Sequence, residues 1–197
     1  YETRYADTVL GQGNAGAAAG SSTGEAWTYQ NEVTYPFGYG LSYTTFEQKL
    51  ENVEVNLNER TVTADVTVKN TGNTAGKDAV QLYVSVPYTD YDREHLVEKS
   101  AIQLLDYGKT EELKPGESTT VTITADAQDM TSWDSTSKNE AGTEGNYILD
   151  AGDYFFTVGD DAHHAMNNVL AAQSRSEANG MTEAGDASNV KTWNLAS

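Results

Sequence analysis

The ten-residue run TVTADVTVKN, Thr61 to Asn70, constrains this chain more than any other stretch. Val62, Ala64, Val66 and Val68 take every second position, and Thr61, Thr63, Asp65, Thr67 and Lys69 take the others. A pleated strand sends successive side chains to opposite faces, so this run has one dry face and one wet face. The alternation returns in NVEVNLN, which places Val53, Val55 and Leu57 inward. It returns in AVQLYVSV, with Val80, Leu82, Val84 and Val86 inward and Tyr83 outward. TVTITAD offers Val121 and Ile123, and DYFFTVG offers Tyr154, Phe156 and Val158. AIQLLDYG is weaker: Ile102 and Leu104 alternate with Gln103 and Leu105.

Turn signals separate these runs: LNER near Leu57, NTGNTAG at Asn70–Gly76, KPGES at Lys114–Ser118 and DAGD at Asp150–Asp153. Pro115 followed by Gly116 suits a type II turn, whose third residue needs a positive φ. Short alternating strands punctuated in this way predict an antiparallel β-sandwich. The stretch DMTSWDSTSKNEAGTEGNYILD is polar and too long for a hairpin turn, so it reads as a surface excursion before the last strand. After Asp161, HHAMNNVLAAQ places Met166, Val169, Leu170 and Gln173 at helical spacing and predicts a short amphipathic helix. SNVKTWNLAS begins another strand, whose partner is expected beyond residue 197.

Charge narrows the partners. The chain has 12 Lys+Arg against 30 Asp+Glu, a formal net charge of −18. Nucleic-acid affinity comes from Lys and Arg neutralising phosphates, and anionic membranes attract polybasic segments, so neither partner is expected. With no Cys, disulfides, thiolate metal sites and thiol catalysis are excluded. No apolar run approaches the roughly 18 residues of a membrane-spanning helix. No cofactor is expected.

Several motifs resemble chemical sites only on paper. GQGNAG, Gly11 to Gly16, matches a dinucleotide-binding pattern, but the AAAGSSTG that follows opens no helix and no βαβ unit surrounds it, so a loop is expected. His163 and His164 are adjacent, and neighbouring helical residues point about 100° apart, a poor arrangement for one metal. They read as an exposed helix start capped by Asp160 or Asp161. His95 reads as a solvated loop residue. No pair of carboxylates stands out for glycosidase chemistry, and no G-x-S-x-G elbow occurs. The catalytic and metal assignments are therefore none.

The aromatic residues are more informative. YPFGYGLSYTTF, Tyr35 to Phe46, fits neither strand nor helix period, yet carries Tyr35, Phe37, Tyr39, Tyr43 and Phe46 around one Pro and two Gly. Tyr88, Tyr91 and Trp133 sit in connections rather than strands. Flat rings of this kind serve sugar stacking, protein docking or simple covering of a domain edge.

YPFGYGLSYTTFE resembles the junction motif of the family 3 glycoside hydrolases, the β-glucosidase family. There it leads from an α/β-sandwich domain into a C-terminal fibronectin type III-like domain. VTVKNTGNTAGKDAVQLYVSVP is similar to the second and third strands of that domain, LLDYGKTEELKPGES to its next strand and turn, and ILDAGDYFFTVG to its closing strand. YETRYAD resembles the tail of the α/β-sandwich domain, and HHAMNNVLAAQ an extension found in multidomain members. The family's nucleophile and acid/base residue lie on the barrel and α/β-sandwich domains, and no residue here matches either motif.

The resemblance thus implies an all-β, immunoglobulin- or fibronectin type III-like antiparallel sandwich, with an irregular N-terminal segment and a short C-terminal helix. Residues 1–45 are expected to be the tail of the preceding domain and the junction, 46–160 the sandwich, and 161–197 a C-terminal extension starting a further module. The expected role is a non-catalytic support docked to catalytic domains of the same polypeptide through Tyr35, Phe37, Tyr39, Tyr43 and Phe46. The alternative is a carbohydrate- or surface-binding module that contacts polysaccharide through Tyr88, Tyr91 and Trp133. An extracellular or cell-surface location is favoured over a cytoplasmic one.

Overall fold

The computed structural model describes residues 1–11 and 28–196. Among the described residues, nine strands form two packed sheets and a separate hairpin. One sheet has three antiparallel strands in the order β1 (Phe46–Asn56), β2 (Thr61–Asn70) and β5 (Ser118–Asp126). The other has four, in the order β4 (Gln103–Lys109), β3 (Ala79–Ser85), β8 (Gly152–Gly159) and β9 (Val190–Leu195). This is the expected all-β antiparallel sandwich.

The alternation in β2 is realised in full: Val62, Ala64, Val66 and Val68 are all completely buried. They face Val80, Leu82 and Val84 of β3 and Tyr154, Phe156 and Val158 of β8 across one core. In β1 the pattern shifts. A bulge between Leu50 and Asn52 inserts one unpaired residue, so Leu50, Val53 and Val55 all reach the core despite their uneven spacing. Leu57 was expected on this inner face. It lies past the end of β1 in the turn to β2 and is exposed.

Turn chemistry matches the sequence. Lys114 to Glu117 closes through Glu117 N to Lys114 O at 2.9 Å, with Gly116 at φ 82, as a type II turn requires. The NTGNTAG turn is organised by Asn70, which is fully buried. Its Nδ2 donates to Thr74 O and Leu113 O, both at 2.8 Å, and its Oδ1 accepts from Thr44 Oγ1 at 2.9 Å and Gly72 N at 3.0 Å. A buried amide needs this full set of partners. Tyr154, near the start of β8, donates its hydroxyl proton to Asp150 O at 2.9 Å and forms a tyrosine corner.

Several further expectations are corrected. Tyr83 points to the outer face of β3 but is completely buried, not solvated. The outer face is covered by α1 (Glu2–Leu10) and α4 (Ala162–Ala172), which build a second core of Tyr5, Val9, Tyr83, Ile102, Met166 and Leu170 with their neighbours. The N-terminal segment is therefore helical over α1 and over the short α2 (Tyr29–Glu32), not irregular there. The weak strand β4 feeds both cores: a register shift opposite Leu82 and Tyr83 sends Leu105 to the sandwich, while Ile102 and Leu104 pack in the second core. The polar excursion is a hairpin, β6 (Ser132–Lys138) paired with β7 (Glu144–Ile148).

The last correction concerns residues 190–195. They form the expected strand, but its partner lies within the chain. β9 pairs antiparallel with β8, Tyr154 opposite Trp193, and completes the four-stranded sheet. Trp193 packs against the core with its ring 5.2 Å from that of Tyr154. The helix α4 matches its predicted span, with Gln173 as its C-cap and Asp161 Oδ1 accepting from His164 N at 2.8 Å as its N-cap.

Candidate docking segment and neighbouring sites

The aromatic segment divides into an anchored half and an exposed half. Thr44 is buried and bonded to Asn70, and Thr45 O accepts from Thr71 N at 2.9 Å. Phe46 opens β1 and packs against the sandwich core, so it separates from the other four rings and belongs to the domain itself. Upstream, Tyr35, Phe37, Tyr39, Leu41 and Tyr43 all face solvent, Phe37 at 67% and Tyr43 at 100%. Single exposed apolar residues are ordinary, but five in nine positions form a patch.

This exposed half is nevertheless fixed in place. Pro36 to Tyr39 forms a turn, Tyr39 N donating to Pro36 O at 3.2 Å. Phe37 O accepts from Ala162 N, the first residue of α4, at 2.8 Å. Gly38 O accepts from Gln81 Nε2 at 3.1 Å, and the same amide donates to Asp160 O at 2.9 Å. Tyr83 OH completes the chain by donating to Gln81 Oε1 at 2.7 Å. Gly38 sits at φ 87, and a Cβ there would lie 2.2 Å from Gln81 Oε1 and 2.7 Å from Tyr83 OH. Backbone groups thus hold the turn while the rings point away. Tyr35 and Tyr39 touch each other, centroids 5.1 Å apart.

Gln81 and the α4 N-terminus were not singled out from sequence. Their signal is faint: Gln81 is the polar residue beside Tyr83 on the outer face of β3, where a wet strand would equally carry a Gln.

The three other candidate aromatics do not form one platform. Tyr88 is half-exposed, with the Arg93 guanidinium 5.2 Å from its ring centroid. Tyr91, on α3 (Asp90–His95), stacks on His95 at 3.9 Å and donates its hydroxyl proton to Asp134 Oδ2 at 2.6 Å. His95 Nδ1 lies 2.9 Å from Tyr91 O, so this residue is tied to its helix rather than free in a loop. Asp134 is held well below the usual carboxylate range by the Tyr91 hydroxyl and by Thr136 and Ser137; the same bond pushes Tyr91 upward. Trp133, one residue along β6, exposes its ring and meets Tyr147 edge-on at 4.9 Å. Successive strand residues face opposite ways, so Tyr91, tied to Asp134, and Trp133 serve opposite faces of the hairpin.

Two buried polar networks escaped the sequence reading. Lys99, almost fully buried, donates to Asp92 Oδ2 at 2.9 Å, to Pro87 O at 3.0 Å and to Asp150 Oδ2. Asp92 also closes the capping box of α3 by accepting from Thr89 N at 2.6 Å. In the second network His163 is buried, not the solvated helix start expected. Its Nδ1 lies 2.9 Å from Glu2 Oε2, its Nε2 lies 2.7 Å from Thr182 Oγ1, and its ring stacks on Tyr29 at 3.6 Å. Tyr29 OH donates to Glu2 Oε1 at 2.7 Å, and burial with that carboxylate raises the phenol pKa. Thr182 N donates to Tyr5 OH at 2.9 Å, and Tyr5 OH donates to Asn167 Oδ1. The network joins α1, α4 and the segment after α4.

Of the GQGNAG motif, Gly11 caps α1 at φ 69; Gln12 to Gly16 lie outside the described residues. Among the described residues, no group of three or more His, Asp or Glu side chains is placed to hold a metal ion.

Comparison with known proteins gives these arrangements a context. Residues 78–162 match the family described as fibronectin type III-like domain. The chain is 37% identical over 143 residues to β-glucosidase A of Butyrivibrio fibrisolvens, covering 66% of this chain and 16% of that protein. It is 35% identical over 139 residues to a β-glucosidase of Ruminococcus albus, covering 69% of this chain and 13% of that protein. Among solved structures, it resembles the β-glucosidase of Kluyveromyces marxianus in complex with glucose at 28% identity and a TM-score of 0.57, covering 85% of this chain and 16% of that one. The chain therefore spans about a sixth of the length of these relatives.

Proposed function

We propose, on the premise that residues 78–162 are a fibronectin type III-like domain and that the chain is homologous to a region of the family 3 β-glucosidases, that it is a non-catalytic structural module of such an enzyme. It supports catalytic domains of the same polypeptide and docks to them through Tyr35, Phe37, Tyr39 and Tyr43. The whole polypeptide is then a glycoside hydrolase that cleaves O-glycosidic bonds.

One observation carries this reading: a run of outward aromatic rings on a backbone clamped by Ala162 N and Gln81 Nε2. A fixed backbone lowers the ordering cost of association, and aromatic anchors supply contact area with few rotatable bonds. A free surface needs neither. Phe46 leaves the set, because it serves the sandwich core.

The test uses the complete enzyme. Phe37→Ser with Tyr39→Ser is expected to lower its melting temperature by several degrees and to reduce turnover of an aryl β-glucoside. A double variant with the stability and activity of the parent defeats the docking role. The isolated 197-residue chain, assayed on the same substrate, is expected to match a buffer blank; turnover above it defeats the non-catalytic reading.

A second reading, retention on polysaccharide, draws on the exposed rings of Tyr88 and Trp133. Pull-down on insoluble glucan addresses it. Retention abolished by Trp133→Ala favours it, and no retention counts against it.

A further inference from the structure

A reversal of the chain after α3 brings Lys99 back onto Asp92. Leu96, the C-cap of that helix, takes a left-handed backbone at φ 56, and Val97 N donates to Asp92 O at 2.9 Å. Residues other than Gly seldom adopt this conformation, and here it turns the chain back along the helix. Lys99 Nζ then donates to Asp92 Oδ2 at 2.9 Å, to Pro87 O at 3.0 Å and to Asp150 Oδ2. The side chains of Lys99, Asp92 and Asp150 are 4%, 0% and 11% exposed. An amine and two carboxylates thus meet in a place that water scarcely reaches.

The two oxygens of Asp92 have unequal surroundings. Besides Lys99, Oδ2 accepts from Thr89 N at 2.6 Å and from Thr89 Oγ1 at 3.0 Å. Oδ1 is buried and has no hydrogen-bond partner. A buried ion pair offsets its desolvation only when the remaining lone pairs are also bonded, so a bare carboxylate oxygen here needs an explanation. Asp150 differs. Its Oδ2 meets Lys99, and its Oδ1 accepts from Thr89 Oγ1 at 3.4 Å, so neither oxygen is bare.

We infer that Lys99 and Asp92 condense to an amide, a covalent cross-link within the chain, with Asp150 as the proton carrier. The ion pair is the reactant. The Nζ–Cγ bond forms and the Cγ–Oδ1 bond breaks. Nζ starts with three protons and ends with one. The first proton passes to the bare Oδ1, which frees the amine lone pair to attack Cγ. Charge that develops on Oδ2 is met by Thr89 N and Thr89 Oγ1, donors already in place. Asp150 takes the second proton from Nζ and delivers it to Oδ1, which leaves as water. One cation and one anion become a neutral amide, Asp150 is regenerated, and no oxidant or other reactant is needed. Burial favours this direction, because it penalises both ions and limits the water that would reverse the step. Groups held together in this way react as if at about 10⁵–10⁸ M. The product also satisfies the site. The amide oxygen keeps the Thr89 donors, the amide N–H meets Pro87 O, and the orphaned oxygen is gone. The cross-link is independent of the docking role, since no residue of the Tyr35–Tyr43 segment takes part.

Intact-protein mass spectrometry of the folded 197-residue chain, incubated at neutral pH for several days, tests it. The expected mass is lower than the sequence mass by one water. Trypsin should then cut after Arg93 but not after the acylated Lys99, so residues 78–93 and 94–109 stay joined. Fragmentation of the joined peptides should place the bond between Asp92 and Lys99. Lys99→Arg keeps a cation beside both carboxylates but has no amine to acylate, and should show the full sequence mass. Asp150→Asn removes the proton carrier and should slow the loss of water about a hundredfold or more. Circular dichroism checks that each variant is folded, and the mass of the unaltered chain decides even where a variant is not. The cross-link is disproved by the full sequence mass in the folded, incubated chain, by loss of water that maps to other residues, or by loss that persists in Lys99→Arg. A rate unchanged in Asp150→Asn disproves the part given to Asp150.

Discussion

Ala162 N donates to Phe37 O at 2.8 Å, so the first turn of α4 holds the aromatic segment through its backbone. Helix N-termini carry unpaired N–H groups, and here one of them is spent on a loop more than a hundred residues away. The arrangement leaves the rings of Phe37 and its neighbours free. It also makes the segment sensitive to changes at Gly38.

Gly38→Ala should loosen the segment. The new Cβ meets Gln81 Oε1 and Tyr83 OH, and the backbone there is left-handed at φ 87. Strain and contact together should cost about 1–3 kcal/mol. Hydrogen exchange at Ala162 and Tyr39 reads it directly: both amides should lose protection, while those of β2 do not.

Lys99→Met should be among the most destabilising single changes. It leaves Asp92 and Asp150 without their cation, and Asp92 is fully buried. Removing one partner of a buried pair typically costs about 3–5 kcal/mol. Urea unfolding measures it, and a loss below about 1 kcal/mol would show that water already reaches these groups.

Asn70→Ala removes four hydrogen bonds at the NTGNTAG turn. Thr74 O loses the Asn70 donor, Leu113 O keeps only that of Gly76 N, and the Thr44 anchor of the junction goes with them. A loss of at least about 3 kcal/mol is expected, with increased proteolysis between Thr44 and Phe46. Asn70→Asp, which keeps the acceptor but not the donors, should be intermediate or worse.

Stability should respond to acid in two opposite ways. Asp7 and Asp78 have folded pKa values raised by burial. The folded state therefore holds their protons more tightly, and their contribution is greatest below the unfolded carboxylate pKa and is lost as pH rises through the folded values. Asp134 is depressed, first by Tyr91, so its contribution is present above the unfolded pKa and is lost as pH falls through the folded one. Melting curves from pH 7 to pH 3 should show Asp78→Asn flattening the upper part of this range. Tyr91→Phe should reduce stability at pH 7, and that deficit should begin to shrink only as pH falls below the ordinary carboxylate range and still be present at pH 3.

Residues whose environment is set by their own strand were legible in the sequence. Val62 to Val68 alternate because β2 has one face in the sandwich, and no other part of the chain changes that. Tyr83 was misread for a physical reason: its face of β3 is covered by α1 and α4, which lie far away along the chain. The same applies to His163, whose partner Glu2 is 161 residues distant. Leu105 was misread because a register shift reverses strand faces, and such shifts leave no mark in hydrophobic period. At the candidate site, the aromatic rings were visible in sequence, but their backbone clamps were not. Peptide N–H groups and carbonyls are the same in every residue, so their pairing is written only in the fold.

β8 and β9 are neighbours in one sheet, yet residues 160–189 run between them and carry α4. The last strand can pair only after this long connection has closed, and closure entropy opposes that step. The helical layer and the edge of the sheet should therefore form late and together. A single protease cut within residues 174–188 should leave β9 held by non-covalent contacts alone, its ladder to β8 and the packing of Trp193 on the core. Refolding of the cut protein should then slow with dilution, as an association of two pieces, while the intact chain refolds at a rate independent of concentration.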